Sequence, residues 1–390
     1  MIRVGFINTF AVTNWLGGLN YLRNLLHAVC ILEDRRIDPV LITGYRTSEK
    51  IASEFSFVPM VYTSALDRGR PLWLLRKVLA ETLGADPMLR RILRKCNIEI
   101  LSHSGDLGRG ARIPSIAWIP DLQHRHLTHL FSKDEIVSRE HNIARAIDAN
   151  LRVIVSSETA ATHLRGGMPR HSDKIRVLRF VSGLLRGGAL PARDELQACY
   201  QIEGPYMLLP NQFWAHKNHE IVVEALAQLK RDRQLVTVIA TGLMRDPRQP
   251  SHVSDLMTKV AQYGLEGLFR PLGVVPYADM LGLMRDAVAV INPSLFEGWS
   301  TSVEEAKSMG KMVVLSNLPV HVEQAPERGI YFKPQEAKDA ANAILKAWLD
   351  FDSDADQAAM SKAAGELPER LRCFAENYQS LVIEALGAYR

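Results

Sequence analysis

The stretch Glu297-Gly298-Trp299-Ser300-Thr301-Ser302-Val303-Glu304-Glu305-Ala306, closed by Gly310, sets two acids, Glu297 and Glu305, eight positions apart. An apolar run from Ala287 to Ile291 leads into it through Asn292-Pro293-Ser294, and a second run, Met312 to Leu315, follows. The order reads as strand, loop, helix, strand. Thr301 and Glu304 have capping-box spacing, which predicts a helix starting near Ser300. Gly310 suits the position that stops it. Glu297 then lies in the loop at the carboxyl end of a strand, and Glu305 about one turn into the helix. Between them is a helix N-terminus whose first N–H groups lack partners, a natural seat for a phosphate. Such a seat flanked by two hydroxyl-binding carboxylates suits a nucleotide sugar.

Outward from this stretch the same rhythm continues. Strand-like runs fall at Tyr206–Leu209, Val236–Thr241, Phe269–Leu272, Ala287–Asn292 and Met312–Ser316, with helical patterns at His219–Lys230, Val253–Tyr263 and Tyr277–Arg285. The first half has its own set: Arg3–Asn8, Pro39–Thr43, Ile98–Ser102, Ser115–Ile119 and Val153–Ser156 as strands, Leu19–Leu32 and Asp134–Ala149 as helices. Two alternating sets predict an α/β protein of two doubly wound, Rossmann-like domains. Val181 to Pro205 holds four glycines and two prolines and reads as the linker. Pro368–Tyr389 reads as one amphipathic helix, with Leu371, Phe374, Tyr378, Leu381 and Ala385 on one face.

Bulk composition excludes several classes. The chain has 390 residues, 47% hydrophobic and 23% charged, which is ordinary for a globular protein. A net charge of +4 is too small to imply a nucleic-acid partner. The cysteines at 30, 96, 199 and 373 have neither metal nor disulfide spacing, as expected of reduced thiols in a cytoplasmic protein. No apolar run reaches the roughly 18 residues of a membrane span. Asp350, Asp352, Asp354 and Asp356 read as a solvated loop rather than a metal site, so no metal is expected. Residues 68–95 interleave Arg68, Arg70, Arg76, Lys77, Arg90, Arg91, Arg94 and Lys95 with apolar residues and Trp73. That pattern fits either a packed helix with a basic face or peripheral contact with an anionic membrane.

Several segments together resemble the retaining GT-B glycosyltransferases of the family 4 type. They are the E-x7-E stretch, Gly17-Gly18 after the first strand, Asn211-Gln212-Phe213-Trp214-Ala215-His216-Lys217-Asn218-His219, Leu272-Gly273-Val274-Val275-Pro276, and Ser316 to Glu323. The resemblance spans nearly the whole chain. It implies two domains facing across a cleft. Residues 1–185 would bind the acceptor, 186–204 would link, 205–366 would bind the nucleotide sugar, and 367–390 would pack back on the first domain. The implied reaction moves a hexose, first of all mannose, from a GDP- or UDP-linked donor to a glycan or lipid-linked acceptor. Bacterial polysaccharide or lipopolysaccharide assembly is the family's common setting. No cofactor is implied, and the location would be cytoplasmic, with the inner face of the membrane within reach.

The resemblance also distributes roles. Glu305 would clamp the ribose, and Glu297 would hold hydroxyls of the transferred sugar. Gly298, Ser300 and Thr301 would bring backbone N–H groups to the diphosphate, with Gly17 and Gly18 approaching from the other domain. Lys217, at the start of a helix, would supply the cation, with His216 and Asn211 beside it. His124, with Asp121 to orient it, would serve the sugar and acceptor. His126 and His129 belong to the same polar loop after Pro120. One departure stands out. Family members carry an arginine shortly before the lysine, where this chain has Asn211 and Gln212, and neither amide offers a cationic fork. That exchange is the one feature favouring a non-catalytic nucleotide-sugar-binding protein. A nicotinamide-dependent oxidoreductase would need Gly-x-Gly-x-x-Gly after a first strand. Gly17-Gly18 lacks that pattern, and Gly105, Gly108 and Gly110 have the wrong order.

Overall fold

The computed structural model of the protein describes all residues except 9–15, 48, 104–106, 109–110, 184–188 and 390. Gly105, Gly110 and residues 186–188 of the expected linker therefore lie outside the described residues. The chain divides into two compact units, 1–122 with 134–181 and 369–390, and 123–133 with 182–368.

The first unit is built on a parallel sheet of seven strands: β1 (Ile2–Ile7), β2 (Ile37–Thr43), β3 (Met60–Tyr62), β4 (Ile100–Ser102), β5 (Ser115–Trp118), β6 (Arg152–Val155) and β7 (Ile175–Val177). Their order is β3-β2-β1-β4-β5-β6-β7. The second unit holds six parallel strands: β8 (Met207–Leu209), β9 (Val238–Thr241), β10 (Phe269–Gly273), β11 (Val290–Asn292), β12 (Val313–Ser316) and β13 (Gly329–Phe332), in the order β10-β9-β8-β11-β12-β13. Each sheet reverses its winding once, between β1 and β4 and between β8 and β11. In doubly wound sheets, ligands bind outside the carboxyl ends of the strands at such reversals.

Residue alternation builds the layers of the second unit. Met207 and Leu209 of β8, Val238 and Ala240 of β9, and Val314 of β12 pack with helices His219–Arg231, His252–Gln262 and Ala337–Leu349. Leu208, Ile239, Val313 and Leu315 point to the other face and pack with helices Tyr277–Asp286 and Thr301–Met309. Both faces are covered, so the strands are nearly uniformly apolar, as buried parallel strands require.

Several expectations need correction. The first helix spans Leu16–Ile31, so Gly17 and Gly18 sit in its first turn rather than ahead of it. The expected linker contains a helix, Arg193–Tyr200, whose Leu196 is buried in the second unit's core. The last helix starts fifteen residues early and spans Ser353–Tyr389, running through Pro368. The acidic run begins it. Asp352 Oδ1 accepts the Ala355 N–H at 2.7 Å. Asp356 is buried rather than solvated, and pairs with Lys311 and Arg328. In the first unit, Tyr378 of this helix is buried and donates to Ser102 Oγ at 2.8 Å, and Glu384 accepts from Arg152 and Arg176.

The basic segment forms two helices, Pro71–Leu83 and Pro87–Lys95, parted by the left-handed Gly84. Leu89 and Leu93 bury the second one, whereas no residue of the first is buried. Leu72, Leu74, Leu75, Val78 and Leu83 are all exposed there. No helix among the described residues is long and apolar enough to cross a membrane.

Candidate functional site

The loops after β8 and β11 leave the second sheet at its winding reversal. After β8 the chain forms a 3-10 turn, Ala215–Lys217, and then the left-handed residue Asn218. Lys217 therefore precedes the helix His219–Arg231 instead of starting it. Asn218 Nδ2 donates to Pro293 O at 3.1 Å and Pro334 O at 2.9 Å, stitching the loops after β8, β11 and β13 together. This fixes the backbone of Lys217, whose Nζ lies 2.6 Å from Glu297 Oε1. An ammonium carries three donors, so two remain for a ligand.

Glu297 is held from its own loop as well. Ser294 Oγ lies 2.7 Å from Glu297 Oε1 and 2.7 Å from Asn292 Oδ1. Asn292 Nδ2 donates to Ser300 Oγ at 2.7 Å and to Ser302 Oγ at 3.2 Å. Gln324 grips Ser300 from both sides, accepting its N–H at 3.0 Å and donating to its carbonyl at 3.0 Å. Burial alone would raise the Glu297 pKa. The Lys217 ammonium, His321 and the hydrogen bonds from Lys217 and Ser294 outweigh it and hold the carboxyl at about 2. It is an ionised acceptor at any physiological pH.

The helix expected near Ser300 spans Thr301–Met309, with Ser300 as N-cap and left-handed Gly310 ending it. The Thr301–Glu304 capping box does not form, because Thr301 is already the first helical residue, the N-cap Ser300 makes no side-chain cap bond, and Glu304 is engaged elsewhere. Glu304 is buried and accepts from Lys307 at 3.1 Å and from Gln324 at 3.1 Å. The Ser300 N–H, expected to face an anion, is used by Gln324 instead. By helix geometry, the N–H groups of Thr301, Ser302 and Val303 have no partner within the helix, and Gly298 lies just ahead of them. Glu305 is buried, with Oε1 accepting the Tyr277 hydroxyl at 2.8 Å. It is not a solvated helix glutamate.

His216 is buried, and its carbonyl accepts the Leu295 N–H at 2.8 Å. Burial first, then the Lys217 charge, pushes its pKa well below 6.5. Its ring is neutral and does not add to the charge of Lys217. Asn211 is also buried, and its Nδ2 has no partner among the described residues. The loop after β9 is tied to this region through Asp246, which accepts from Ala215 N at 2.8 Å and Arg248 N at 2.9 Å. The Arg248 guanidinium lies 4.5 Å over Phe131 and 5.8 Å from Trp214.

The segment Gln123–Lys133 counts with the second unit. It was expected to be a loop, but Gln123–His126 forms a helical turn and Thr128–Leu130 a 3-10 turn. His124 is buried, edge-on to Phe131 at 6.3 Å. His126 stacks on Phe296, the neighbour of Glu297, at 5.0 Å. Asp121 counts with the first unit and pairs with Arg139 at 3.7 Å. Gly17 and Gly18 are likewise in the first unit. The structure thus gathers Lys217, His216, Asn211, Glu297, Gly298, Ser300, Thr301 and Glu305 at one edge of the second sheet. Tyr277, Gln324, Arg248 and His321 also stand there and had drawn no role from the sequence. Gln324 lay one residue past the quoted segment after the motif, and His321 within it. Among the described residues, no three His, Cys, Asp or Glu gather as metal ligands would.

Residues 198–366 match the model of the family described as glycosyl transferases group 1. No curated protein matches the chain. Solved structures similar to it include Anabaena HepE in complex with UDP and glucose, at 16% identity and a TM-score of 0.70, covering 98% of this chain and 100% of that one. Sucrose-phosphate synthase from Thermosynechococcus elongatus is 16% identical with a TM-score of 0.66, over 100% of both chains. A glycosyltransferase from Rickettsia africae is 15% identical with a TM-score of 0.65, over 100% of this chain and 98% of that one. The fold, two doubly wound parallel sheets and a long C-terminal helix, is that of the GT-B glycosyltransferases.

Proposed function

We propose that the protein is a retaining glycosyltransferase of the family 4 type. It would transfer a hexose from a nucleoside-diphosphate sugar to a hydroxyl of a glycan or lipid-linked acceptor, in bacterial polysaccharide or lipopolysaccharide assembly. One observation carries the reading. The Lys217–Glu297 pair stands at the winding reversal of the second sheet, beside the N-terminus of Thr301–Met309 and within the stretch that matches the family.

The chemistry follows from these groups. The two remaining donors of Lys217, with the N–H groups of Thr301, Ser302 and Val303, take up charge on the departing diphosphate. Stabilising that charge is where most of the rate comes from. Glu305 accepts ribose hydroxyls, and ionised Glu297 accepts hydroxyls of the transferred sugar. His124 and Asp121 serve the acceptor side, with Gly17 and Gly18 near the donor. The acceptor oxygen attacks the face that the diphosphate leaves, and its proton passes to a phosphate oxygen, so the configuration is retained. Charge neutralisation by lysine and helix N–H groups makes no demand for a metal. The UDP and glucose bound in the HepE complex make UDP-glucose a donor to test alongside GDP-mannose, the first expectation. The exposed leucines of Pro71–Leu83, next to Arg90, Arg91, Arg94 and Lys95, support contact with an anionic membrane on its cytoplasmic face.

A thermal-shift screen against UDP, GDP, ADP, dTDP and NAD, followed by turnover with the matching nucleotide sugars, tests the reading. A diphosphate that binds only the folded state raises the midpoint. Glu305→Ala should weaken that diphosphate by about 1.5–3 kcal/mol, the worth of a charge-assisted bond. Stabilisation by NAD and by no diphosphate would overturn the reading. Diphosphate binding without any sugar transfer would favour the non-catalytic alternative.

A further inference from the structure

Beside Glu297 lies a buried side chain for which the proposed roles have no use. His321 is in the short helix Pro319–Gln324 that follows β12. β11 and β12 are neighbours, with Asn292 opposite Leu315, so the Glu297 and His321 segments leave the sheet side by side. They are also tied together. Ser316 Oγ donates to Ser294 O at 2.6 Å, and Ser294 Oγ lies 2.7 Å from Glu297 Oε1.

The hydrogen bonding of the ring defines what it can bind. His321 is fully buried, and its Nδ1 lies 2.8 Å from the Ser316 carbonyl oxygen. A carbonyl can only accept, so Nδ1 carries the proton. Burial lowers the pKa from 6.5, against the opposing pull of Glu297, so the ring is neutral. Nε2 is then a bare lone pair, and it has no partner among the described residues. A buried acceptor left without a donor is costly. Phosphate oxygens, which also bring lone pairs, do not relieve it. A hydroxyl does. With Glu297 also an acceptor, this corner asks for a ligand with adjacent O–H donors.

We propose that His321 Nε2 accepts a hydrogen bond from a hydroxyl of the transferred sugar next to Glu297, making His321 a donor-specificity residue. The proposal rests on the nucleotide-sugar reading given above. It divides the site by chemistry: Lys217 and the helix N-terminus face the diphosphate, while Glu297 and His321 face the sugar.

The test is calorimetric titration of the full chain with UDP, UDP-glucose, GDP and GDP-mannose. His321→Asn keeps a donor for Ser316 O but has no acceptor at the Nε2 position, whereas the longer His321→Gln restores one. His321→Asn should bind the nucleotide sugar about tenfold more weakly while binding the matching diphosphate within about twofold of wild type, and His321→Gln should recover most of the loss. In wild-type protein with nitrogen-15 histidine, which needs no variant to fold, the Nε2 resonance of His321 should move with the nucleotide sugar and not with the diphosphate alone. Undiminished sugar binding in His321→Asn, an equal loss of both ligands, or a resonance that ignores the sugar overturns the proposal. If wild type binds none of the four, the donor reading itself fails and this inference with it, a result distinct from failure at His321 alone.

Discussion

Lys217→Met gives the most quantitative test of the site. The two side chains of the Lys217–Glu297 pair keep 16% and 9% of their exposure, so solvent screens their attraction only weakly. Glu297 titrates at about 2 instead of 4.5 although burial acts to raise it. A difference of about 2.5, at ~1.4 kcal/mol for each pKa unit, favours the ionised form by about 3–4 kcal/mol. Without the ammonium the largest lowering influence is gone, and burial pushes the carboxyl back up. At pH 7 the variant must then hold an unpaired carboxylate or take up a proton. The expected loss is about 3 kcal/mol, the low end for breaking a buried pair.

Urea unfolding of wild type, Lys217→Met, Glu297→Gln and the double variant measures it. The double variant, having no unpaired charge, should be more stable than Lys217→Met alone. The pH dependence has a definite sign. A carboxyl whose folded pKa is depressed contributes stability that is fully present above about 4.5 and lost as pH falls towards 2. The gap between wild type and Lys217→Met should therefore be widest at neutral pH and close across that window. A Lys217→Met protein within about 0.5 kcal/mol of wild type at pH 7 would refute the reasoning, as would a gap that ignores pH.

Two further outcomes probe the frame around the site. Asp356→Ala leaves the Lys311 ammonium buried without its carboxylate partner, and should cost about 3–5 kcal/mol in chemical unfolding. Gly310→Ala forces a left-handed residue with φ of 73° to carry a side chain that would meet the Ala359 backbone. It should lower stability by more than about 1 kcal/mol, whereas nucleotide affinity in the folded fraction should hold.

The helix Thr301–Met309 and its stop at Gly310 were legible because apolar runs on both sides left room for little else. The two-sheet architecture was legible for the same reason: buried parallel strands such as Met207–Leu209 and Val313–Ser316 read as continuous apolar stretches. The short edge strands Met60–Tyr62, Ile175–Val177 and Gly329–Phe332 escaped, being only three or four residues long. The wrong capping box has a tertiary cause. Asn292 and Gln324 come from outside the helix and fix Ser300 as the N-cap one residue before Thr301, while Gln324 also engages Glu304, which no local spacing rule anticipates. Pro368 misled in the opposite direction. It looked like a helix start, but the helix begins at Ser353, with the Asp352 carboxylate capping its first turn. His321 and Tyr277 depended on which loops the topology places together, and a single sequence does not reveal that.

The two units share the chain in an interleaved way, and that has a consequence for biosynthesis. The first unit needs residues 369–390, among them Tyr378 against Ser102, and these are made after every residue of the second unit. The second unit needs Gln123–Lys133, made long before the strands it joins. On a ribosome, the early segment must wait with Phe131 and its histidines uncovered until residues 182–368 emerge. The seven-stranded sheet stays without the segment bearing Tyr378 until residues 369–390 follow. The unit begun first is therefore completed last, after all residues of the second unit have been made. A version cut at residue 368, or begun at residue 182, would miss part of a core rather than a dispensable tail.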